Sequence, residues 1–359
     1  MSDYKSIAEK RRILLRELVG DEAPRLWCPP LTHYTSDGAL DKQRMAAHWA
    51  SMIPNVHAFL VPGSTGDGWE MTEQESHSLL DFALELAGRL AALLLIGVLR
   101  TDVPSMCNAI SETMAVLKRK TGAKEPVAAL KQARVCGFAV CPARGAELAQ
   151  DQIQAGLETV LELGLPTALY QLPQVTQNEM SPSLIARLAE RYANFVMVKD
   201  SSGNDRIALA DRGQGGIFLV RGAEGHYAEW LQESGGPYRG LLLSTANCFS
   251  AQLKEIVVGL EAGKTGEARN ASARLTRVVE SVFKLVKDLP KGNSYANANK
   301  AMDHFMAYGA KAERVPPPML HAGVRLPEDL IKAAGDVLKK AKLIPGTGYL
   351  NGRSQTDVR

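Results

Sequence analysis

The chain has 359 residues, of which 45% are hydrophobic and 23% are charged, and its formal net charge at pH 7 is +3. These are the proportions of an ordinary soluble globular protein, and a small charge without long Lys or Arg runs argues against nucleic acid as a partner. The five scattered cysteines form no CxxC pair, so we expect a cytoplasmic protein with neither a disulfide framework nor a zinc site.

The first predicted element is an N-terminal helical extension at residues 1–22, which is charged and amphipathic and lacks the apolar region of a signal peptide. From residue 23 to residue 263, short apolar runs alternate with longer amphipathic stretches. The apolar runs predict strands at residues 26–28, 58–61, 93–98, 137–141, 166–170, 195–199, 217–220 and 240–243. The amphipathic stretches predict helices at residues 41–53, 72–88, from 102 onwards, 148–163, 181–192, 205–210, 225–233 and 249–262.

The predicted strands are continuous apolar runs, which favours a parallel sheet with both faces covered by helices. Eight strand–helix units predict an α/β fold, a (β/α)₈ TIM barrel, as a catalytic domain at residues 23–263. Residues 264–343 predict a C-terminal helical region, with helices at 268–285, 297–308 and 327–343. The last residues, 344–359, are rich in glycine and polar residues and are expected to form a flexible tail. No apolar run reaches the roughly 20 residues of a membrane span, so we expect no membrane partner.

Polar residues at the strand ends are the first candidates for chemistry, because active sites of such barrels lie at the carboxyl ends of the strands. Residues 63–67 follow the second strand with the sequence Gly-Ser-Thr-Gly-Asp. Its glycines allow backbone N–H groups and hydroxyls to converge on one anion. The same pattern also fits a simple Gly-rich turn, and it is not a phosphate loop because no Gly-Lys-Ser/Thr follows.

Lys199 is the most informative strand-end residue, because it follows the buried run 195–198. Desolvation lowers an amine pKa from about 10.4 towards 7–8, and the neutral amine can attack a ketone to form a Schiff base. The alternative is a structural lysine that forms a salt bridge with Asp67 or Glu224, which is the commoner case. Tyr170 has two interpretations as well, a proton relay beside the imine or a packing residue with its hydroxyl in water.

Together these segments resemble the dihydrodipicolinate synthase/N-acetylneuraminate lyase family of class I, Schiff-base-forming aldolases. Residues 32–38 resemble the family's opening Thr-Pro-Phe-x-x-Asp-Gly, with His33 in place of the proline. Residues 63–67 resemble its Gly-Thr-Thr-Gly-Glu, residues 169–173 its Leu-Tyr-Asn-x-Pro, and residues 198–203 its Ile-Lys-Asp-Ser-Ser-Gly. Four motifs in the same order at matching barrel positions make the resemblance specific.

The resemblance implies a role for each motif residue. Lys199 forms the imine with pyruvate or another 2-oxo acid, Ser64 and Thr65 hold the carboxylate, and Tyr170 moves the proton together with Thr65. Further substrate contacts are expected from Gly222, Gln171, Glu224 and Arg144. Gln171, in place of an asparagine, is expected to select the substrate tail, and Glu224 to bind hydroxyls as in sugar-acid lyases. The simpler interpretation of Arg144 is an exposed arginine.

The resemblance also implies that the enzyme needs no metal or organic cofactor, that its partners are a small 2-oxo acid and an aldehyde, and that it forms a homotetramer. Two departures argue against the synthase of lysine biosynthesis. Val175 replaces the arginine that grips the carboxylate of the aldehyde substrate, and residues 141–144 (Cys-Pro-Ala-Arg) replace the segment with Pro-Tyr-Tyr.

The sequence therefore predicts a carbon–carbon or carbon–oxygen lyase. The first interpretation is a pyruvate-type aldolase or hydratase–aldolase acting through Lys199 on a deoxy sugar acid or an aromatic pyruvate adduct. One alternative is a dehydratase of a 2-oxo-3-deoxy acid that uses the same imine. The others are dihydrodipicolinate synthase proper, which the departures disfavour, and a non-catalytic family member that binds a small metabolite.

Overall fold

A computed structural model describes residues 2–210 and 215–351 of the chain, with side chains from residue 5 onwards. The strands are β1 (Leu26–Trp27), β2 (Ala58–Val61), β3 (Leu93–Val98), β4 (Val135–Val140), β5 (Thr167–Gln171), β6 (Phe195–Asp200), β7 (Phe218–Arg221) and β8 (Gly240–Leu242). Almost every strand residue is buried, which is the physical reason why the strands are continuous apolar runs in the sequence.

The strands are hydrogen-bonded in the order β1-β8-β7-β6-β5-β4-β3-β2. Just after β1, Cys28 bridges in parallel to Phe59 of β2. The Cys28 amide donates to the Ala58 carbonyl at 3.0 Å, and its carbonyl accepts from the Leu60 amide at 2.9 Å. The first strand therefore also pairs with the second, so the sheet is nearly closed and the predicted (β/α)₈ barrel is confirmed.

Helices precede, alternate with and follow the strands. Those up to the end of the barrel are α1 (Ser2–Val19), α2 (Lys42–Met52), α3 (Glu73–Leu90), α4 (Val103–Thr121), α5 (Pro126–Gln132), α6 (Gln150–Leu161), α7 (Pro173–Thr176), α8 (Pro182–Arg191), α9 (Arg206–Leu209) and α10 (Ala246–Glu261). The predicted C-terminal helices are α11 (Thr265–Val286), α12 (Ser294–Tyr308) and α13 (Glu328–Lys340). Within the described ranges, no helix is both long and apolar enough to cross a membrane.

Polar caps set the beginnings of several helices close to where the sequence predicts them. The Asp41 carboxylate accepts a hydrogen bond from the Arg44 amide at 2.9 Å and so caps α2. Asp102 caps α4 in the same way, through the Ser105 amide at 2.9 Å. Each cap satisfies an amide that would otherwise lack an acceptor in the first helical turn, which fixes where the helix starts.

The helix predicted at residues 225–233 is wrong, and the short helix α7 (Pro173–Thr176) was not predicted. The structure has turns at residues 227–230 and a short 3-10 helix at Gln232–Ser234 instead. Gly225 and His226 adopt positive φ angles of 81° and 53°, which interrupt a right-handed helical path. The apolar residues that suggested a helix, such as Tyr227 and Leu231, are buried in this loop.

The N-terminal extension is anchored by an arginine that is fully buried. Arg11 of α1 donates hydrogen bonds to the carbonyls of Phe195 at 2.6 Å, Ala189 at 2.5 Å and Tyr192 at 2.9 Å. Its guanidinium thus satisfies carbonyls at the end of α8, which have no partner within that helix. Because Phe195 begins β6, α1 fixes the amino end of the strand that carries Lys199.

The first part of the predicted tail is not loose. The amide of Tyr349 donates to the Met306 carbonyl at 3.1 Å, and the Tyr349 ring stacks on His48 with centroids 5.4 Å apart. Gly348 permits this approach, because a Cβ at that position would overlap the Ala307 carbonyl. Part of the predicted flexible tail, up to residue 351, thus packs against α2 and α12, and the rest of it, 352–359, lies outside the described residues. The flexibility of the tail stays a prediction.

Contacts divide the chain into two compact units. The first contains the described residues of Met1–Arg25, Ala87–Ala223 and Trp230–Leu242, and the second those of Leu26–Leu86, Glu224–Glu229 and Leu243–Arg359. The predicted domain boundaries after residues 22, 263 and 343 stay predictions. Among the candidate site residues, the first unit holds Lys199, Tyr170, Gly222, Gln171 and Arg144, and the second holds Ser64, Thr65 and Glu224.

Candidate active site

Lys199 and Tyr170 are direct neighbours across two parallel strands. Tyr170 of β5 is in register with Lys199 of β6, so both side chains project from the same face of the sheet. The Lys199 Nζ lies 3.9 Å from the centroid of the Tyr170 ring. Lys199 is 3% exposed and Tyr170 2% exposed. The structure therefore brings together the two residues to which the sequence analysis gave the imine and the proton transfer, and both are almost completely buried.

Gly222, just after β7, provides the space that Lys199 occupies. A Cβ at position 222 would lie 2.9 Å from the Lys199 Cε and would overlap the Ser201 Oγ. The Gly222 amide donates to the Asp200 carbonyl at 2.6 Å, so the backbone cannot readily move away. Gly222 stays a predicted substrate contact, and its lack of a side chain leaves room for the lysine.

Cys141 directly follows the neighbouring strand β4 and carries a second group that could act as a nucleophile. Burial raises the pKa of its thiol well above the ordinary value, and the charge of Lys199 only partly opposes this shift. The thiol is therefore protonated at neutral pH, and a protonated thiol is a poor nucleophile. The lysine is the stronger candidate for covalent chemistry.

A buried ion pair joins Arg221, the last residue of β7, to Asp205 in the segment that follows β6. The Arg221 guanidinium donates to both carboxylate oxygens of Asp205, at 3.1 and 3.3 Å. The Tyr238 hydroxyl donates to Asp205 at 2.6 Å, and Trp230 lies 4.5 Å from the guanidinium carbon. The sequence did not predict this group, whose satisfied hydrogen bonds hold the strand ends beside Lys199 in a fixed arrangement.

Gln171 and Arg144 stay predictions as substrate contacts, and the structure shows what each side chain touches or faces. Residues adjacent in a strand point to opposite faces, so Gln171 faces away from the side occupied by Tyr170. The Gln171 side chain accepts from the Met180 amide at 2.9 Å and donates to the Met180 carbonyl at 3.4 Å, so it braces the chain after β5. Arg144 is exposed, in agreement with its simpler interpretation.

In the second unit, residues 63–67 form a short turn that contains the 3-10 helix Ser64–Gly66. Ser64 is 6% exposed and Thr65 4% exposed. The Ser64 Oγ accepts a hydrogen bond from the Trp69 indole at 2.9 Å, and the Gly66 carbonyl accepts from the Thr32 hydroxyl at 2.7 Å. These contacts hold the turn in one conformation, as an anion-binding turn requires.

Asp67 ends this turn with a left-handed φ of 61° and forms a buried ion pair. Its Oδ2 accepts from Lys300 Nζ at 2.8 Å and from the Tyr34 hydroxyl at 3.2 Å. Burial and then the Asp67 charge raise the pKa of Tyr34, so its hydroxyl stays a donor. Asp67 was one of the two carboxylates considered as partners of Lys199, and the structure pairs it with Lys300 instead.

Glu224, the other such carboxylate, is saturated by hydrogen bonds within its own unit. Its Oε1 accepts from the Ser244 hydroxyl at 2.6 Å and the Thr245 amide at 3.0 Å. Its Oε2 accepts from the Thr245 hydroxyl at 2.6 Å and the Tyr227 hydroxyl at 3.2 Å. A carboxylate offers about four acceptor positions, so Glu224 has little capacity left for substrate hydroxyls. It orders the residues that follow β8.

Three buried groups of the second unit, His33, His48 and Asp303, lie close enough together to hold a metal ion. His33 Nε2 is 3.2 Å from His48 Nδ1 and 3.7 Å from Asp303 Oδ2. Asp303 also accepts from Arg44 at 2.9 Å and from the Tyr349 hydroxyl at 3.0 Å. Because the Arg44 guanidinium already balances the carboxylate, the cluster fits a buried hydrogen-bonded network better than a cation site.

Comparisons with solved structures address the fold. A prophage protein from Escherichia coli K12, YagE, which belongs to the dihydrodipicolinic acid synthase family and was crystallised with pyruvate, has a TM-score of 0.67 at 19% identity, covering 88% of this chain and 98% of that one. A variant of the Sulfolobus solfataricus 2-keto-3-deoxygluconate aldolase has a TM-score of 0.64 at 13% identity, covering 89% and 96%. Both similarities show the same fold.

Comparisons of sequence address the family. The 4-hydroxy-tetrahydrodipicolinate synthase of Erythrobacter litoralis is 26% identical over 326 residues, which cover 88% of this chain and 98% of that one. The probable 5-dehydro-4-deoxyglucarate dehydratase of Corynebacterium glutamicum is 26% identical over 178 residues, so the match spans about half of each chain, 49%. The model of the Dihydrodipicolinate synthetase family matches residues 23–296. This match covers most of the chain, so the chain belongs to the Dihydrodipicolinate synthetase family.

Proposed function

We propose that the chain is a class I lyase that acts on a 2-oxo acid through an imine on Lys199. The observation that carries this proposal is the buried pair of Lys199 and Tyr170, with the amine 3.9 Å from the tyrosine ring at the carboxyl ends of adjacent strands. A desolvated amine favours its neutral, nucleophilic form, and a neighbouring tyrosine can serve as an acid or a base.

The proposed reaction starts with attack of the Lys199 amine on the keto carbon, followed by loss of water to give the iminium ion. The iminium accepts the electron pair of a breaking bond and becomes an enamine, and Tyr170 carries the proton to or from the departing group. Protonation of the enamine and hydrolysis then release the 2-oxo acid and free the lysine. Active sites of (β/α)₈ barrels collect residues from several strand ends, so we assign the carboxylate of the 2-oxo acid to Ser64 and Thr65.

Two outcomes follow from the same imine. Cleavage of a carbon–carbon bond releases pyruvate and an aldehyde. In the other outcome, loss of the proton next to the iminium carbon gives an enamine, which expels the neighbouring hydroxyl group as water and keeps the carbon chain intact. The similarity to a dehydratase of a deoxy sugar acid supports the second outcome as an alternative. Val175, where the synthase carries its carboxylate-gripping arginine, disfavours synthesis from aspartate semialdehyde. The homotetramer and the cytoplasmic location remain proposals from the family resemblance.

A panel of 2-oxo-3-deoxy sugar acids and aromatic pyruvate adducts tests this function. Pyruvate in the products identifies the aldolase, and a dehydrated 2-oxo product without pyruvate identifies the dehydratase. Lys199→Met serves as the control, and we expect this variant to form neither pyruvate nor the dehydrated product. Turnover that persists in Lys199→Met contradicts the proposal. Efficient condensation of pyruvate with aspartate semialdehyde would keep the imine but contradict the argument against the synthase function.

A further inference from the structure

The turn assigned to the substrate carboxylate carries a buried carboxylate of its own. Asp67 follows Gly66 directly and is 2% exposed. Two like charges in a buried site repel each other strongly, because the surroundings screen them far less than water does. An anion would therefore bind poorly to residues 63–67 if the Asp67 charge were left uncompensated.

Lys300 of α12 supplies the compensating charge. This lysine is fully buried, its Nζ lies 2.8 Å from the Asp67 Oδ2, and it also lies 4.7 Å from the centroid of the Tyr34 ring. The ion pair and the ring together fix the ammonium beside the end of the turn.

Helix α12 is tied to the same turn at a second point. Asn293 caps the helix by accepting a hydrogen bond from the Ala296 amide at 2.8 Å. Its side-chain amide donates to the Ser64 carbonyl at 3.1 Å. The beginning of α12 is therefore bonded to the first residue of the 3-10 helix Ser64–Gly66, and Lys300 to the residue that follows it.

We propose that Lys300 is a positioning residue for the 2-oxo acid, which neutralises Asp67 and so allows the turn at residues 63–67 to accept a carboxylate. This inference rests on the proposed function, since it assumes that the turn binds the substrate anion. Through Lys300, helix α12 then contributes to substrate affinity, although this helix is not one of the strand ends. Lys300 acts through Asp67 and takes no part in forming the imine.

The test is a double-mutant cycle read out by trapping the imine of pyruvate with borohydride. We expect Lys300→Met to raise the pyruvate concentration at half-maximal trapping by about tenfold or more, since it leaves an unbalanced carboxylate beside the anion. Asp67→Asn removes that carboxylate and keeps the lysine. The pyruvate concentration at half-maximal trapping should therefore stay the same or fall in this variant. The double variant should recover most of the affinity lost in Lys300→Met.

Two further measurements separate this role from a merely structural one. The trapped yield at saturating pyruvate should be preserved in Lys300→Met. In Lys300→Arg, which keeps the charge, the pyruvate concentration at half-maximal trapping should lie close to that of the wild type. If both single variants raise half-saturation alike, the pair is only structural and the inference is overturned. If Lys300→Met does not fold, the test uses Asp67→Asn alone. A rise in the pyruvate concentration at half-maximal trapping in Asp67→Asn then overturns the inference. Absence of any adduct in the wild type overturns the proposed function, and this inference with it.

Discussion

Two lysines of this chain are almost completely withdrawn from water, and they lie in different units. Each lies over a tyrosine ring, Lys199 at 3.9 Å from Tyr170 and Lys300 at 4.7 Å from Tyr34. Lys300 sits within a helix and forms an ion pair with Asp67, whereas Lys199 stands at the carboxyl end of β6. Burial and an aromatic neighbour therefore do not identify a nucleophile. Its position at the end of a barrel strand is the feature that separates the two.

The two tyrosines allow the largest test of this comparison. We expect Tyr170→Phe to lower kcat by about 10²–10⁴-fold, because it removes the group assigned to proton transfer. Tyr34→Phe removes the same hydroxyl beside the other lysine, where it donates to Asp67 at 3.2 Å. Its main cost should be about 0.5–1.5 kcal/mol of unfolding free energy, with a far smaller fall in kcat. Equal losses of kcat in the two variants would contradict the distinction.

The space around Lys199 gives a second test. Gly222→Ala should lower kcat by about 10²-fold, since the added methyl group displaces the Lys199 side chain from its reactive position. Gly88→Ala is a matched control, because a Cβ at position 88 meets no atom within 4 Å. Combining Gly222→Ala with Ser201→Ala removes the overlap with the Ser201 hydroxyl. If that combination restores full activity, the lysine is not the group that Gly222 accommodates.

Stability against acid tests whether the polar groups around α12 are mainly structural. Burial and then the charge of Arg44 lower the pKa of His33 well below 6.5, so the folded chain leaves this ring neutral while the unfolded chain protonates it. The contribution of His33 to stability is therefore present above pH 6.5 and is lost as the pH falls below it. In urea unfolding, the wild type should lose up to about 1.4 kcal/mol per pH unit more than His33→Gln does. If the free energy of unfolding changes with pH equally in the wild type and in His33→Gln, His33 makes no such contribution.

The smallest effect is expected at the surface. Arg144 is exposed, so Arg144→Ala should change KM and kcat less than about twofold, within the range of a solvated side chain. The assay is the turnover of whichever 2-oxo acid the panel identifies. A large rise in KM would identify Arg144 as the substrate contact that the family resemblance predicts.

The sequence predicts the barrel and the proximity of Lys199 and Tyr170 well, because both depend on local patterns. Buried strands read as continuous apolar runs, and Lys199 and Tyr170 follow directly from their positions at strand ends. The face of Gln171 was predictable too, since it alternates with Tyr170 along β5. The helix expected at residues 225–233 was wrong because two left-handed residues interrupt it, a feature that hydrophobic spacing does not report.

The support from α12 could not be read from any single motif. Asp67 and Lys300 are 233 positions apart, and nothing local to either residue indicates the ion pair. A signal did exist, because Asn297, Lys300 and His304 recur at helical spacing in a helix whose residues are mostly buried. A buried polar stripe of this kind must satisfy its groups against neighbouring segments. Lys300 pairs with Asp67 in the turn after β2, whereas Asn297 donates to the Lys291 carbonyl and His304 bonds to the Ala312 carbonyl.

The central claim is that Lys199, and not Lys300, becomes covalently bonded to the 2-oxo acid. Incubation of the wild type with pyruvate and borohydride, followed by peptide mapping with mass spectrometry, measures this directly. The account predicts one modified peptide, which contains residue 199, and no modification in Lys199→Met. A modified peptide that contains residue 300, or an unmodified wild-type protein at saturating pyruvate, would contradict it.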